Sequence, residues 1–215
     1  MKRSFVRSSL VCGAVLIVMS VAGCAGTGEL RHLNLQPKQS ATPPTATEPV
    51  KIVIAPFDDR RVNKTHIGVR SHLGGGITLF DVNGRKPVDV IVQSLINRLQ
   101  SRGWGDRAWN VSLQQGDSDA DADIVISGQV DEFSANAKSR VFSTLIDTKS
   151  RIEIQAKNVS DNSTTARTVE NARTKTVFWF DEEDVQELLT DTLADGIDRL
   201  IADTKIAGKA LKPVR

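Results

Sequence analysis

Tyrosine is absent from this 215-residue chain, aromatic residues make up 5% of it, and cysteine occurs only twice. Both cysteines, Cys12 and Cys24, lie near the start, so the rest of the chain has no thiol for a disulfide framework or a cysteine-ligated metal. The three histidines, His32, His66 and His72, form no His-Glu-x-x-His helix, and no Gly-x-Ser-x-Gly elbow marks a hydrolytic serine. No metal site and no cofactor are expected. Neither sign of charge dominates: 28 Lys and Arg stand against 26 Asp and Glu. That balance supplies no field to attract a nucleic acid, so no nucleic-acid partner is expected.

The only long apolar run lies at the start. Lys2, Arg3 and Arg7 are followed by the run from Leu10 to Val21 and then by Val21-Ala22-Gly23-Cys24. A basic end, a short apolar core and small residues at a cut describe a secretory signal peptide. The run is too short for a permanent bilayer span. A cysteine directly after the small residues resembles a bacterial lipobox, which implies cleavage between Gly23 and Cys24 and acylation of Cys24 by diacylglycerol and palmitate. Cys12 is not the modified residue, because Ser9-Leu10-Val11 places a bulky side chain at the cut. Cleavage removes three basic residues and leaves 25 basic against 26 acidic. The sequence pI of about 8.6 therefore belongs mostly to the discarded segment.

Four regions follow from composition: a signal peptide (1–23), a lipidated cysteine with a disordered tether (24–49), a single domain (50–208) and a short tail (209–215). Pro37, Pro43, Pro44 and Pro49 oppose regular structure in the tether, which as a flexible coil would reach on the order of 25–30 Å. Leu30, Leu33 and Leu35 read as a less polar stretch within it. Val50 to Ile54 is a β-branched strand ending at Pro56. Residues 57–85, punctuated by Gly68, Gly74, Gly75, Gly76 and Gly84, read as irregular loop or hairpin.

Pro87 suits the first turn of a helix in which Val88, Ile91, Val92, Leu95, Ile96 and Leu99 share a face, and Gly103 stops it. Strands are expected over 108–113, 123–130, 140–156 and 164–180. Ile152, Ile154 and Ala156 alternate with Arg151, Glu153 and Gln155, which calls for one dry and one wet sheet face. A second helix carries Val185, Leu188, Leu189, Leu193, Ile197, Leu200 and Ile201, with Asp181 as N-cap and Glu182, Glu183 and Asp184 at the positive end of its dipole. The fold class is α+β: a mainly antiparallel sheet with two amphipathic helices packed on one face.

Candidate sites thin out under inspection. Gly74-Gly75-Gly76 runs into Ile77-Thr78-Leu79-Phe80, which is extended, so it makes a hairpin and not a phosphate loop. Asp117, Asp119, Asp121 and Asp123 alternate as calcium ligands do, but the sixth and twelfth positions hold Ala122 and Gly128, not Gly and Glu. His66 and His72 beside Asp58 or Asp59 have no metal-ligand spacing. A hydrolytic pair of carboxylates would have to come from Asp58, Asp59, Asp131 and Glu132. Phe178-Trp179-Phe180 is the densest aromatic cluster; as a strand it would bury the phenylalanines and leave Trp179 outward. Trp179 and Gly74, Gly75 and Gly76 are thus the candidate interaction surface.

Asp81-Val82-Asn83-Gly84, Leu95 and Leu99 with Gly103-Trp104, Ala122-Asp123-Ile124-Val125-Ile126, and Leu189-Thr190-Asp191-Thr192-Leu193-Ala194-Asp195 together resemble the YajG-type lipoproteins of Gram-negative bacteria. The likeness covers roughly residues 75–206. It implies a periplasmic domain anchored by lipid, and Ala25 after the anchor cysteine favours the outer membrane. The expectation is a non-enzymatic binding or accessory module whose partners are the membrane, through acylated Cys24, and an envelope protein or lipid. Two alternatives are an auxiliary subunit of an envelope transport or assembly system that binds lipid or lipopolysaccharide, and a cell-wall hydrolase.

Overall fold

The computed structural model describes residues 27–35, 47–114 and 122–214. The cleavage site at Gly23 and Cys24, and Asp117, Asp119 and Asp121 of the acidic run, lie outside the described residues. The chain opens with β1 (Thr27–Leu33), within the stretch expected to be tether. The expected first strand is β2 (Thr47–Ile54), whose Ile52 and Ile54 are fully buried. The region read as loop or hairpin contains β3 (Asp58–Asp59), β4 (Gly68–Ser71) and β5 (Ile77–Val82).

Helix α1 (Pro87–Arg102) starts and stops where the sequence places it. Proline occupies the first turn, where its missing N–H costs nothing, and Gly103 is the C-cap. A 3-10 turn (Trp104–Asp106) leads to β6 (Ala108–Leu113), β7 (Ile124–Arg140), β8 (Ser143–Asn158) and β9 (Thr164–Val177). Helix α2 (Glu182–Asp203) begins with a reciprocal cap: the Asp181 carboxylate accepts from the Glu183 N–H, and Asp184 accepts from the Asp181 N–H. β10 (Thr204–Ala207) and β11 (Ala210–Pro213) close as a small separate hairpin, so most of the expected tail is structured.

β7 is the spine. One edge pairs antiparallel with β8 over almost its whole length, and β8 pairs antiparallel with β9. The other edge is shared end to end by β2, β3 and β4, all parallel to β7. β6 joins β2 in parallel, β5 joins β4 antiparallel, and β1 runs parallel to β5. The α+β class holds, but the sheet is mixed, not mainly antiparallel. The physical reason is that face alternation reports which side of a strand is dry and carries no information on strand direction. The long β7–β8–β9 meander is the antiparallel part; all the parallel pairs involve shorter strands outside it. Gly68 lets β4 approach β7, since a Cβ there would lie 1.7 Å from the Ala135 carbonyl oxygen.

The core fills the space between the sheet and the two helices. Leu95 and Leu99 of α1 and Leu189 and Leu200 of α2 are fully buried. Trp104 and Trp109 meet edge to face at 5.8 Å, and each indole N–H is satisfied, by the Thr204 hydroxyl and by the Trp104 carbonyl. The Thr148 and Thr192 hydroxyls pair at 2.6 Å beneath α2. Arg98 and Asp198 bridge the helices at 2.7 Å. Leu33 and Leu35 of the expected tether belong to this core: Leu33 has no exposed surface. Burial of those leucines and the backbone pairing with β5 overcome a composition that looks like linker.

Candidate functional site

Six strand ends meet at one end of the sheet. Ser71 at the close of β4 faces Lys138 of β7 and Ile77 of β5. Thr27, the first residue of β1, also faces Ile77. Arg140 faces Ser143 across the β7–β8 turn, and Thr144 faces Val177 at the close of β9. Three connections project here: the 72–76 turn, the Val141-Phe142 turn and the segment leaving β9.

The 72–76 turn is the expected glycine hairpin. The His72 N–H donates to the Gly76 carbonyl, and Gly75 and Gly76 hold φ of 88° and 80°, which glycine adopts without a Cβ penalty. No atom lies within 4 Å of a Cβ built on Gly74 or Gly75, so the tip stands in open space. Leu73 is exposed on it. At the β9 exit the strand ends at Val177, and the expected alternation fails. Phe178 is 82% exposed and Trp179 91% exposed, while Phe180 turns inward. Phe180 stacks on Phe80 at 6.3 Å, and the Arg70 guanidinium lies 3.8 Å over its ring. That desolvation lowers the Arg70 pKa. The expectation that both phenylalanines are buried is corrected for Phe178: the bend after Val177 frees it from the sheet's two faces, and Phe180 alone anchors the segment.

Phe142 is 87% exposed at the neighbouring turn, with Val141 beside it. Among the described residues, Phe142, Phe178 and Trp179 are the exposed aromatic side chains, and all three share this end of the sheet. Sequence reasoning reached Trp179 and the glycines but missed Phe142, Val141 and Leu73. The available signal was two large apolar residues at the turn between two long alternating strands, where polar residues are the rule.

The carboxylates behave differently. Asp59 receives the Arg61 backbone N–H, Nε and Nη2 at 3.1, 3.0 and 2.9 Å, and this lowers its pKa, against what a proton-donating acid needs. Arg61 is 4% exposed and its Nη1 has no partner among the described residues. Asp131 lies 3.9 Å from Arg151, and Glu132 accepts from the Ser134 hydroxyl. Asp131, Glu132, Arg61 and His66 line one open hollow of 450 Å³ with Asn63 and Asn136. His66 bonds to Asn63 and Thr65, and His72 to Thr78. No group of three or more metal-ligating side chains occurs among the described residues. Asp123 is held by Lys209 and by the Lys51 N–H, which lower its pKa.

A second hollow of 260 Å³ lies between the helices, lined by Val90, Ser94 and Arg98 of α1 and by Leu193 and Ile197 of α2, with Phe133 of β7. It shows both helices on one sheet face and is mainly apolar, with Arg98 and Asp198 among its polar lining residues.

A folded domain with exposed apolar loop tips at one sheet end is what the geometry defines. The model of a family of uncharacterised lipoproteins matches residues 49–210, and the chain belongs to that family, the YajG-type lipoproteins. No curated protein matches the chain. Among solved structures, a Xanthomonas campestris protein of the DUF330 family is similar in fold at 12% identity and a TM-score of 0.52, covering 81% of this chain and 93% of that one. A hypothetical protein from Chlamydia trachomatis is 10% identical with a TM-score of 0.41, covering 71% and 96%. No helix among the described residues is long and apolar enough to cross a membrane.

Proposed function

We propose that this is a non-enzymatic binding or accessory module, acylated at Cys24, held on the periplasmic side of the outer membrane, and contacting its partner through the end that carries Trp179, Phe142 and the Gly74–Gly76 turn. The family supports the lipoprotein reading, and the lipobox pattern of residues 21–24 supplies its anchor. The observation that carries the contact surface is the gathering of the exposed aromatics on two connections, with exposed Leu73 on a third, at one sheet end. Chance exposure of single apolar residues is ordinary, but three large rings left in water at one place mark an interaction site.

The test places a photoreactive phenylalanine at position 179 in intact cells, and a control at exposed Val159 near the opposite end. Adducts at 179 and none at 159 are expected, whether the adduct is protein or lipid. Equal labelling at both positions, or none at either, contradicts the reading.

The inter-helix hollow favours the transport-subunit alternative as a second reading. It is mainly apolar and lies half open between the sheet and both helices, but at 260 Å³ it lies just below the usual size of a small-ligand site. It would take part of one acyl chain and not a whole lipopolysaccharide.

A further inference from the structure

The aromatic end and the chain's approach from Cys24 coincide. β1 runs parallel to β5, and β5 starts at the 72–76 turn, so Thr27 begins at the same sheet end as Leu73, Phe142, Phe178 and Trp179. Only Ala25 and Gly26 separate Cys24 from Thr27, and the three steps between them span at most about 11 Å. A lipid on Cys24 therefore keeps this end within reach of the headgroups, where the tether expected from composition would have let the domain stand well away.

From this we infer that the occupant of the aromatic end is the bilayer surface itself: the Val141-Phe142 turn, the Phe178-Trp179 segment and Leu73 sit in the interfacial layer beside the acyl anchor. The inference rests on the Cys24 anchor proposed above and names the partner of that same surface. The three tips hold no Asp, Glu, Lys or Arg, so entering the interface desolvates no full charge. Tryptophan and phenylalanine are the side chains that settle at headgroup depth. Lys138 and Arg140 stand exposed just behind the tips, without an ion pair among the described residues, at the height where phosphate lies. The acidic start of α2 is close by, and three of its four carboxylates are engaged: Asp181 caps the helix, Glu182 lies 3.4 Å from Arg31, and Asp184 lies 2.8 Å from Lys175, while Glu183 is exposed without an ion pair among the described residues. Phe180, pinned between Phe80 and Arg70, fixes the outward direction of the two residues before it.

The fluorescence of the molecule is suited to the test, because Trp104 and Trp109 are buried and only Trp179 is exposed. The acylated full chain is reconstituted in phosphatidylcholine vesicles whose acyl chains are brominated, and Trp179 is isolated as the difference between wild type and Trp179→Phe. Docking predicts quenching of this component by the brominated lipid and its protection from aqueous iodide. Phe142→Ser with Phe178→Ser, both at exposed positions, shifts Trp179 back toward iodide, by roughly tenfold in the docked-to-undocked ratio per ring removed. Buried Trp104 and Trp109 report that the variant remains folded. Vesicle flotation with Trp179 open to iodide and untouched by bromine overturns the docking while the anchor stands. Failure to float overturns both.

Discussion

Asp59 and Arg61 show how a pair two residues apart can matter more than an exposed one. Arg61 is buried, and the Asp59 carboxylate meets its backbone N–H, Nε and Nη2. Because the folded pKa of Asp59 is lowered, its contribution is complete above the unfolded carboxyl value of about 3.9 and is lost as pH falls through the lowered folded value. Asp59→Asn removes the charge that faces a buried guanidinium and should cost about 3 kcal/mol at neutral pH. Urea denaturation of both proteins from pH 7 to pH 3 should show the gap between them closing below about pH 4. A gap independent of pH would contradict the assignment. From the sequence, Asp58-Asp59-Arg60-Arg61 reads only as a charged loop, since nothing in the order of charges tells that one arginine is buried.

At the scale of elements, legibility followed periodicity. α1 and α2 repeat apolar residues at three and four, have proline or a capping box at the start, and sit where the pattern puts them. β8 was legible because Ile152, Ile154 and Ala156 alternate with polar neighbours. β1 was not: Gly, Thr and Pro surround it, and its partner β5 lies about fifty residues away, so no local signal records the pairing. β4 is four residues long and half-exposed, too short for alternation to register. Trp179 was found as an aromatic in a cluster, but the bend that exposes Phe178 depends on Phe180 locking onto Phe80, a long-range contact. Leu33 separates the two views of the N-terminal segment. If residues 27–35 were tether, Leu33→Ala would change stability by a few tenths of a kcal/mol; packed as observed, it should cost 2–5 kcal/mol. The urea midpoint, read at an unchanged denaturant slope, decides between them.

For the molecule as a whole, the two ends of the sheet differ. One gathers the exposed aromatic rings and the start of β1; the other carries the β10–β11 hairpin and the C-terminal end of α2. On the proposed anchoring at Cys24, the first end would be set toward the membrane and the second away from it. The proposed membrane docking depends on the anchor. The measurement that tests it most directly is the intact mass of the protein extracted from membranes, wild type beside Cys24→Ser. A wild-type chain that begins at Cys24 and carries acyl mass is expected, with a variant that lacks it. A wild-type chain that is uncleaved, or cleaved and unacylated, would contradict the anchor.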